Sequence, residues 1–220
     1  SWLGAVGPVA SHLFHDPKGA ELVTSASEIA EDIVDVDAAL QDARAVILAV
    51  PDTAIRAVAK SIIDKLAPGT MLIALDAAAP FAGHFPERKD VTYFVTHPCH
   101  PPIFNDETQL PAKRDYFGGI AAKQAIVNAL MQGPEEDYAI GEEIAKTIFQ
   151  PILRSHRVSV EQMALLEPGL SETVCATLLV VMKEAMDEVI RRGVDPVAAR
   201  DFLLGHMNVL HYLLFPFRAL

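Results

Sequence analysis

Ala45-Val46-Ile47-Leu48-Ala49-Val50 is an unbroken apolar run rich in β-branched side chains. Such a run asks for a strand covered on both faces, as in a parallel sheet flanked by helices. Pro51-Asp52 ends it, Asp52 or Thr53 is placed to cap a helix, and Ile55, Val58, Ala59, Ile62, Ile63 and Leu66 recur at helical spacing. Pro68-Gly69 turns the chain into Met71-Leu72-Ile73-Ala74-Leu75, which stops at Asp76, and Val91-Thr92-Tyr93-Phe94-Val95 forms a third run. Strand, helix, strand, loop, strand is the alternation of a doubly wound α/β sheet.

The fold class read from this pattern is α/β, with an N-terminal Rossmann-like parallel sheet over residues 1–119 and an all-α domain over 120–220. Upstream, Ser1 to Leu13 reads as the tail of a strand cut short by the start of the chain, a glycine turn and a short helix. Glu21 to Thr24 reads as a further strand. The turn keeps only Gly4 and Gly7 of a dinucleotide-type glycine pattern, and an ordinary turn would use the same residues. No acidic residue closes the next strand, so the pattern does not choose between NAD and NADP.

Beyond Gly119 the periodicity is helical. Tyr138, Ile140, Ile144 and Ile148 mark a helix over Glu135 to Phe149, and Val158 to Leu166 leads into Glu167-Pro168-Gly169, where a break or kink is expected. Ser171 can cap the next helix, which carries Val174, Leu178, Val181, Ala185 and Val189 with Leu179, Val180 and Met182 between them. Apolar nearly all round, it is expected to be central and buried. Arg191-Arg192-Gly193 closes it, and Asp195-Pro196 opens a last helix with Phe202, Leu203, His206, Leu210 and Leu213 along one face.

A net charge of -11 without a Lys/Arg cluster argues against nucleic acid as a partner. The two cysteines, Cys99 and Cys175, form no CxxC pair, which points to a reducing, cytoplasmic setting. No uncharged run of the length a membrane helix needs stands out, so no membrane role is expected. The mean hydropathy of +0.25 is high, and the apolar helices point to a homodimer.

Chemistry concentrates in Thr96-His97-Pro98-Cys99-His100-Pro101-Pro102, directly after the third run. Prolines stiffen this turn, and ligands of open α/β sheets bind just beyond the carboxyl ends of strands. A proline-rich loop with incidental histidines is the plain alternative. Cys99 has no neighbouring cation to activate it and reads as a packed thiol.

Six blocks in order carry a resemblance: Ala45 to Asp52, Leu75 to Pro80, His97 to Pro102 with Phe104-Asn105-Asp106-Glu107, Leu130 to Glu136, Leu166 to Glu172, and Gly205-His206-Met207-Asn208. Together they resemble the D-apionate oxidoisomerase family, oxidoreductases with a phosphogluconate-dehydrogenase-like C-terminal domain. The resemblance implies NAD as oxidant and a branched sugar acid as substrate, with D-apionate oxidised and rearranged to 3-oxo-isoapionate. The cofactor edge would be Gly4, Val6 and Gly7, then Val50, Pro51 and Asp52, then Asp76, Ala77 and Ala78, although the alanines would serve tight packing equally. His97, His100 and Glu167 take the catalytic roles, because imidazole can accept the hydroxyl proton near neutrality. His100 and Glu167 could also hold a divalent cation, zinc or magnesium, that polarises a ketone, while no ligand spacing demands one. Glu172, His206 and Asn208 are the candidate substrate contacts, with ordinary helix-end or hydrogen-bonded core roles as alternatives. Two other functions share these residues: a plain β-hydroxyacid or phosphogluconate-type dehydrogenase that oxidises without rearrangement, and a non-catalytic Rossmann-like dimerisation module.

Overall fold

A computed structural model of the chain describes residues 35–214. It forms two compact units, divided between Glu167 and Pro168. The first begins with α1 (Val36–Leu40), whose cap Asp35 accepts from the amides of Asp37 and Ala38. Then come β1 (Ala45–Leu48), α2 (Asp52–Ile62), β2 (Met71–Ala74), the short α3 (Ala78–Phe81) and β3 (Thr92–Pro98). The three apolar runs are the three strands expected, and Ile55, Ala59 and Ile62 turn the buried face of α2 toward them. No side chain caps α2; Pro51 stands at the cap position, and Asp52 sits in the first turn, where the helix dipole favours an acid.

The helical reading of the residues after Gly119 needs correction. Past α4 (Leu110–Lys113) the chain forms β4 (Gln124–Gln132), α5 (Asp137–Phe149) and β5 (Ile152–Arg157), so that the described residues make a five-stranded sheet in the order β1-β2-β3-β4-β5. Pairing is parallel from β1 to β3, antiparallel between β3 and β4, and parallel again between β4 and β5. The antiparallel step sends β5 toward the edge opposite the carboxyl ends of β1 to β3. From there α6 (Val160–Ala164) leads back across the sheet, and Met163 is fully buried in the same cluster as Tyr93 and Val95. Side chains alternate along a strand, so His97 belongs to that face. One turn past Met163, Glu167 arrives at the same edge as the histidine.

On the other face of β3, Phe94 is fully buried beside Tyr138, and Gly141 of α5 has no side chain because a Cβ would meet the Phe94 ring at 2.5 Å. Below His97 a polar chain crosses three strands. The Thr96 hydroxyl donates to Asn128 Oδ1 (2.6 Å), Asn128 Nδ2 to Ser155 Oγ (2.8 Å), and Ser155 to Glu142 Oε1 (2.6 Å). Lys146 Nζ closes on Glu142 Oε2 at 3.0 Å. The Glu142 carboxylate can only accept, so Ser155 must donate to it, and that choice sets the polarity of every link back to Thr96. Thr96 and Asn128 are both fully buried, and the chain locks the register of β3, β4 and β5 next to the histidine.

Hydrogen bonds from Ser155 and Lys146 hold the Glu142 carboxyl below its usual range. A carboxyl depressed in the folded state contributes stability above its unfolded pKa and loses it as pH falls through the folded value. Glu142→Gln is therefore expected to be less stable than the parent at neutral pH, with the difference shrinking on acidification. Urea unfolding at several pH values measures it, and a difference independent of pH would exclude this linkage.

Of the break or kink expected at Glu167-Pro168-Gly169, a break is not found. Leu165–Cys175 is a π-helical stretch with Pro168 inside it, followed by α7 (Ala176–Arg191). A proline has no amide hydrogen for the ladder and crowds the preceding turn, and the wider π pitch makes room for it. Thr173 Oγ1 donates to the Pro168 carbonyl at 2.7 Å, and Ser171, expected as a cap, lies within the stretch. The helical residues Val160–Arg191 are long and apolar enough, by length and composition, to cross a membrane, which the sequence reading did not foresee.

In the second unit α8 (Pro196–Leu214) starts as expected, with Asp195 Oδ1 accepting from the amides of Val197 and Ala198. The expected burial of α7 is not found within one copy of the chain: Leu178, Leu179, Val180 and Val181 are exposed. Between α7 and α8 lies an apolar groove of about 450 Å³, lined by residues such as Met182, Met186, Val189 and Phe202.

Candidate active site

The carboxyl ends of β1, β2 and β3 share one edge, and β3 delivers the histidine turn to it. His97 ends a strand that is fully buried from Phe94 to Thr96, so its backbone is fixed while its ring reaches the rim. Nδ1 of His97 lies 2.8 Å from the carbonyl of Leu75, the residue before Asp76. A carbonyl only accepts, so Nδ1 carries the hydrogen and Nε2 presents its lone pair. Nε2 faces Glu167 Oε1 at 4.0 Å, with both side chains largely buried. A proton gained at Nε2 would therefore be stabilised by a carboxylate that shares little of its field with water.

His100 is exposed, with its ring 6.1 Å from that of His97 and nearly perpendicular to it. Its Nδ1 is 2.8 Å from the Phe117 carbonyl, so this imidazole also presents Nε2. Cys99 stands between them. Desolvation by the surrounding chain pushes its thiol up, although part of the residue meets solvent, so it stays protonated and is a poor nucleophile at neutral pH.

Along the cofactor-type edge, Pro51 and Asp52 are exposed, and Val50, Asp76 and Ala78 are half-buried. Asp76 Oδ1 accepts from the Ala78 amide at 2.6 Å and so starts α3. Ala77, expected among the cofactor-facing residues, is fully buried, and its methyl packs in the core cluster. Gly4, Val6 and Gly7 lie outside the described residues. Glu172, His206 and Asn208 belong to the second unit and are exposed. His206 stacks on Phe202 at 4.0 Å and engages the Phe202 carbonyl through Nδ1.

Among the described residues, no group of three or more His, Cys, Asp or Glu side chains is arranged to hold a metal ion. His100 and Glu167 alone fall short of the three protein ligands that a catalytic zinc site keeps. Sequence reasoning paired His100 with Glu167, whereas the carboxylate faces His97. It also missed the anchoring carbonyls of Leu75 and Phe117, because any residue type can supply a main-chain oxygen.

The model of the phosphogluconate dehydrogenase (decarboxylating) C-terminal family matches residues 105–218. A D-apionate oxidoisomerase of Rhizobium rhizogenes is 72% identical over 182 residues, covering 83% of this chain and 66% of that protein. One from Cupriavidus necator is 65% identical over 188 residues, covering 86% and 68%. The chain belongs to the D-apionate oxidoisomerase family.

It spans about two-thirds of the length of these two relatives. Among solved structures, a semialdehyde dehydrogenase NAD-binding protein from Cupriavidus necator, in complex with calcium and NAD, is 63% identical with a TM-score of 0.83. That match covers 86% of this chain and 70% of the other. An NADH-preferring ketol-acid reductoisomerase from an uncultured archaeon, 16% identical with a TM-score of 0.63, shares the fold; the match covers 86% of this chain and 56% of that one.

Proposed function

We propose that this chain carries out NAD-dependent oxidation and rearrangement of a branched sugar acid, of the kind that converts D-apionate to 3-oxo-isoapionate. The observation that carries this reading is His97. Its Nδ1–H is tied to the Leu75 carbonyl at the cofactor edge, and its Nε2 faces Glu167. Nε2 takes the proton of the substrate hydroxyl, and Glu167 stabilises the imidazolium that results. In the carbon shift that follows, His97 passes this proton to the oxygen that changes from carbonyl to hydroxyl and takes up the proton of the hydroxyl that becomes the new carbonyl, which it then releases to solvent. His100, with its own lone pair at the mouth of the turn, receives a hydrogen bond from a second substrate hydroxyl. Bound NAD supplies the acceptor for hydride.

The residues fit the dinucleotide on two counts. The carboxyl ends of β1 and β2 leave an open rim at Val50, Pro51 and Asp52, and the small Ala78 lets a flat ring approach. A relative 63% identical to this chain is described in complex with NAD. No step here depends on a cation. The exposed apolar residues of α7 and the adjoining groove support a homodimer in which a second copy covers them.

D-apionate and NAD incubated with the purified protein are expected to give NADH and a product whose carbon skeleton, read by ¹³C NMR, is no longer that of the substrate. Light scattering of the same preparation is expected to give a dimer. NADH formation with an unchanged skeleton would make the protein a plain dehydrogenase, and absence of NADH binding at millimolar cofactor would make it non-catalytic.

A further inference from the structure

His100 has φ +59°, a left-handed conformation that side chains other than glycine rarely adopt. A residue held there needs surroundings that fix it. What surrounds it is the return of the long connection between β3 and β4. Asp115 is buried, and its Oδ2 alone accepts three main-chain hydrogen bonds, from Ile120 at 3.0 Å, Ala121 at 2.8 Å and Ala122 at 3.0 Å. Those bonds close a turn made possible by Gly118 (φ +81°) and Gly119 (φ +90°). The turn cannot settle differently at its base, because a Cβ on Gly118 would lie 2.5 Å from the amide of Gln124. That buried side chain is itself tied through Nε2 to the Phe149 carbonyl. The Phe117 carbonyl, which meets His100 Nδ1, stands inside this turn.

We propose that Asp115 is a positioning residue for His100: by gathering the amides of residues 120–122 it aims the Phe117 carbonyl at Nδ1 and so fixes which ring nitrogen carries the hydrogen. An imidazole side chain in water prefers the hydrogen on Nε2, which would turn the proposed hydrogen-bond acceptor at the mouth of the site into a donor. Asp115 touches no substrate and acts only through the turn. The catalytic importance of this tautomer rests on the function proposed above, but the tautomer itself does not.

Long-range ¹H–¹⁵N correlation of the full chain, at a pH where the rings are neutral and with His100 assigned by its loss in His100→Ala, reads the tautomer directly. Wild-type protein is expected to show Nδ1–H at both His97 and His100. Asp115→Ala is expected to shift His100 to Nε2–H and leave His97, anchored to Leu75, unchanged. Asp115→Asn retains one acceptor oxygen and is expected to keep the wild-type pattern. If Asp115→Ala fails to fold, Gly118→Ala disturbs the same turn from its other end and is expected to give the same shift. Nε2–H at His100 in the wild type, or an unmoved His100 in a folded disrupting variant, would overturn the assignment. Failure of the proposed reaction would show instead as a product with an unaltered skeleton and would leave these spectra as expected.

Discussion

His97→Ala is expected to lower turnover by about 10²- to 10⁴-fold, the usual range for loss of a positioned general base. Steady-state kinetics with NADH fluorescence as an independent binding readout checks it. The loss should fall on kcat, because the proposed cofactor edge at Val50, Pro51, Asp52 and Ala78 does not include His97. His100→Ala is expected to lose roughly 100-fold, since it removes a hydrogen-bond partner near the reacting centre. If His97→Ala raised KM and left kcat intact, the base would have to be sought elsewhere on the rim. In the proposed site two groups share what a single aspartate does in hydrolytic triads: the Leu75 carbonyl fixes the tautomer of His97, and the Glu167 carboxylate faces the nitrogen that would carry the charge.

Phe94→Ala is expected to cost about 3–5 kcal/mol in urea unfolding, the range for emptying a fully buried aromatic site. The ring fills the space that Gly141 leaves open on α5 and lies 5.9 Å from Tyr138, so nothing small is poised to collapse into the hole. Its loss would loosen the strand two residues before Thr96, where the polar chain to Asn128 begins. A cost below about 1 kcal/mol would mean that α5 is not docked on the sheet as described.

The strands that could be read from sequence are the ones buried on both faces. β1, β2 and β3 have no polar residue that an outward face would require, apart from the threonines and histidine of β3. β4 escaped because its run is interrupted by Asn128 and rich in helix formers such as Ala129, Leu130 and Met131. The signal there is a polar residue inside the core, whose partners are distant in sequence. β5, Ile152 to Arg157, is an edge strand with four of six residues exposed, and its conformation is dictated by pairing with β4 more than by its own composition. His97, His100 and Glu167 were visible as residue types on a turn and near a proline. Which imidazole faces Glu167 was not, because that depends on the reversal of direction at β4, which brings α6 back over the face that carries His97.

The antiparallel step has one more result. Residues 99–123 leave the sheet and re-enter it at the same rim, with the Phe117 carbonyl meeting His100, while the two anchoring strands stay paired from Tyr93–Gln132 to Pro98–Ile126. Outside the turn that Asp115 and Gly118 fix, its length and sequence can therefore change without undoing the strand pairing. Under the function proposed above, such a loop is a natural place for related chains to acquire a different substrate.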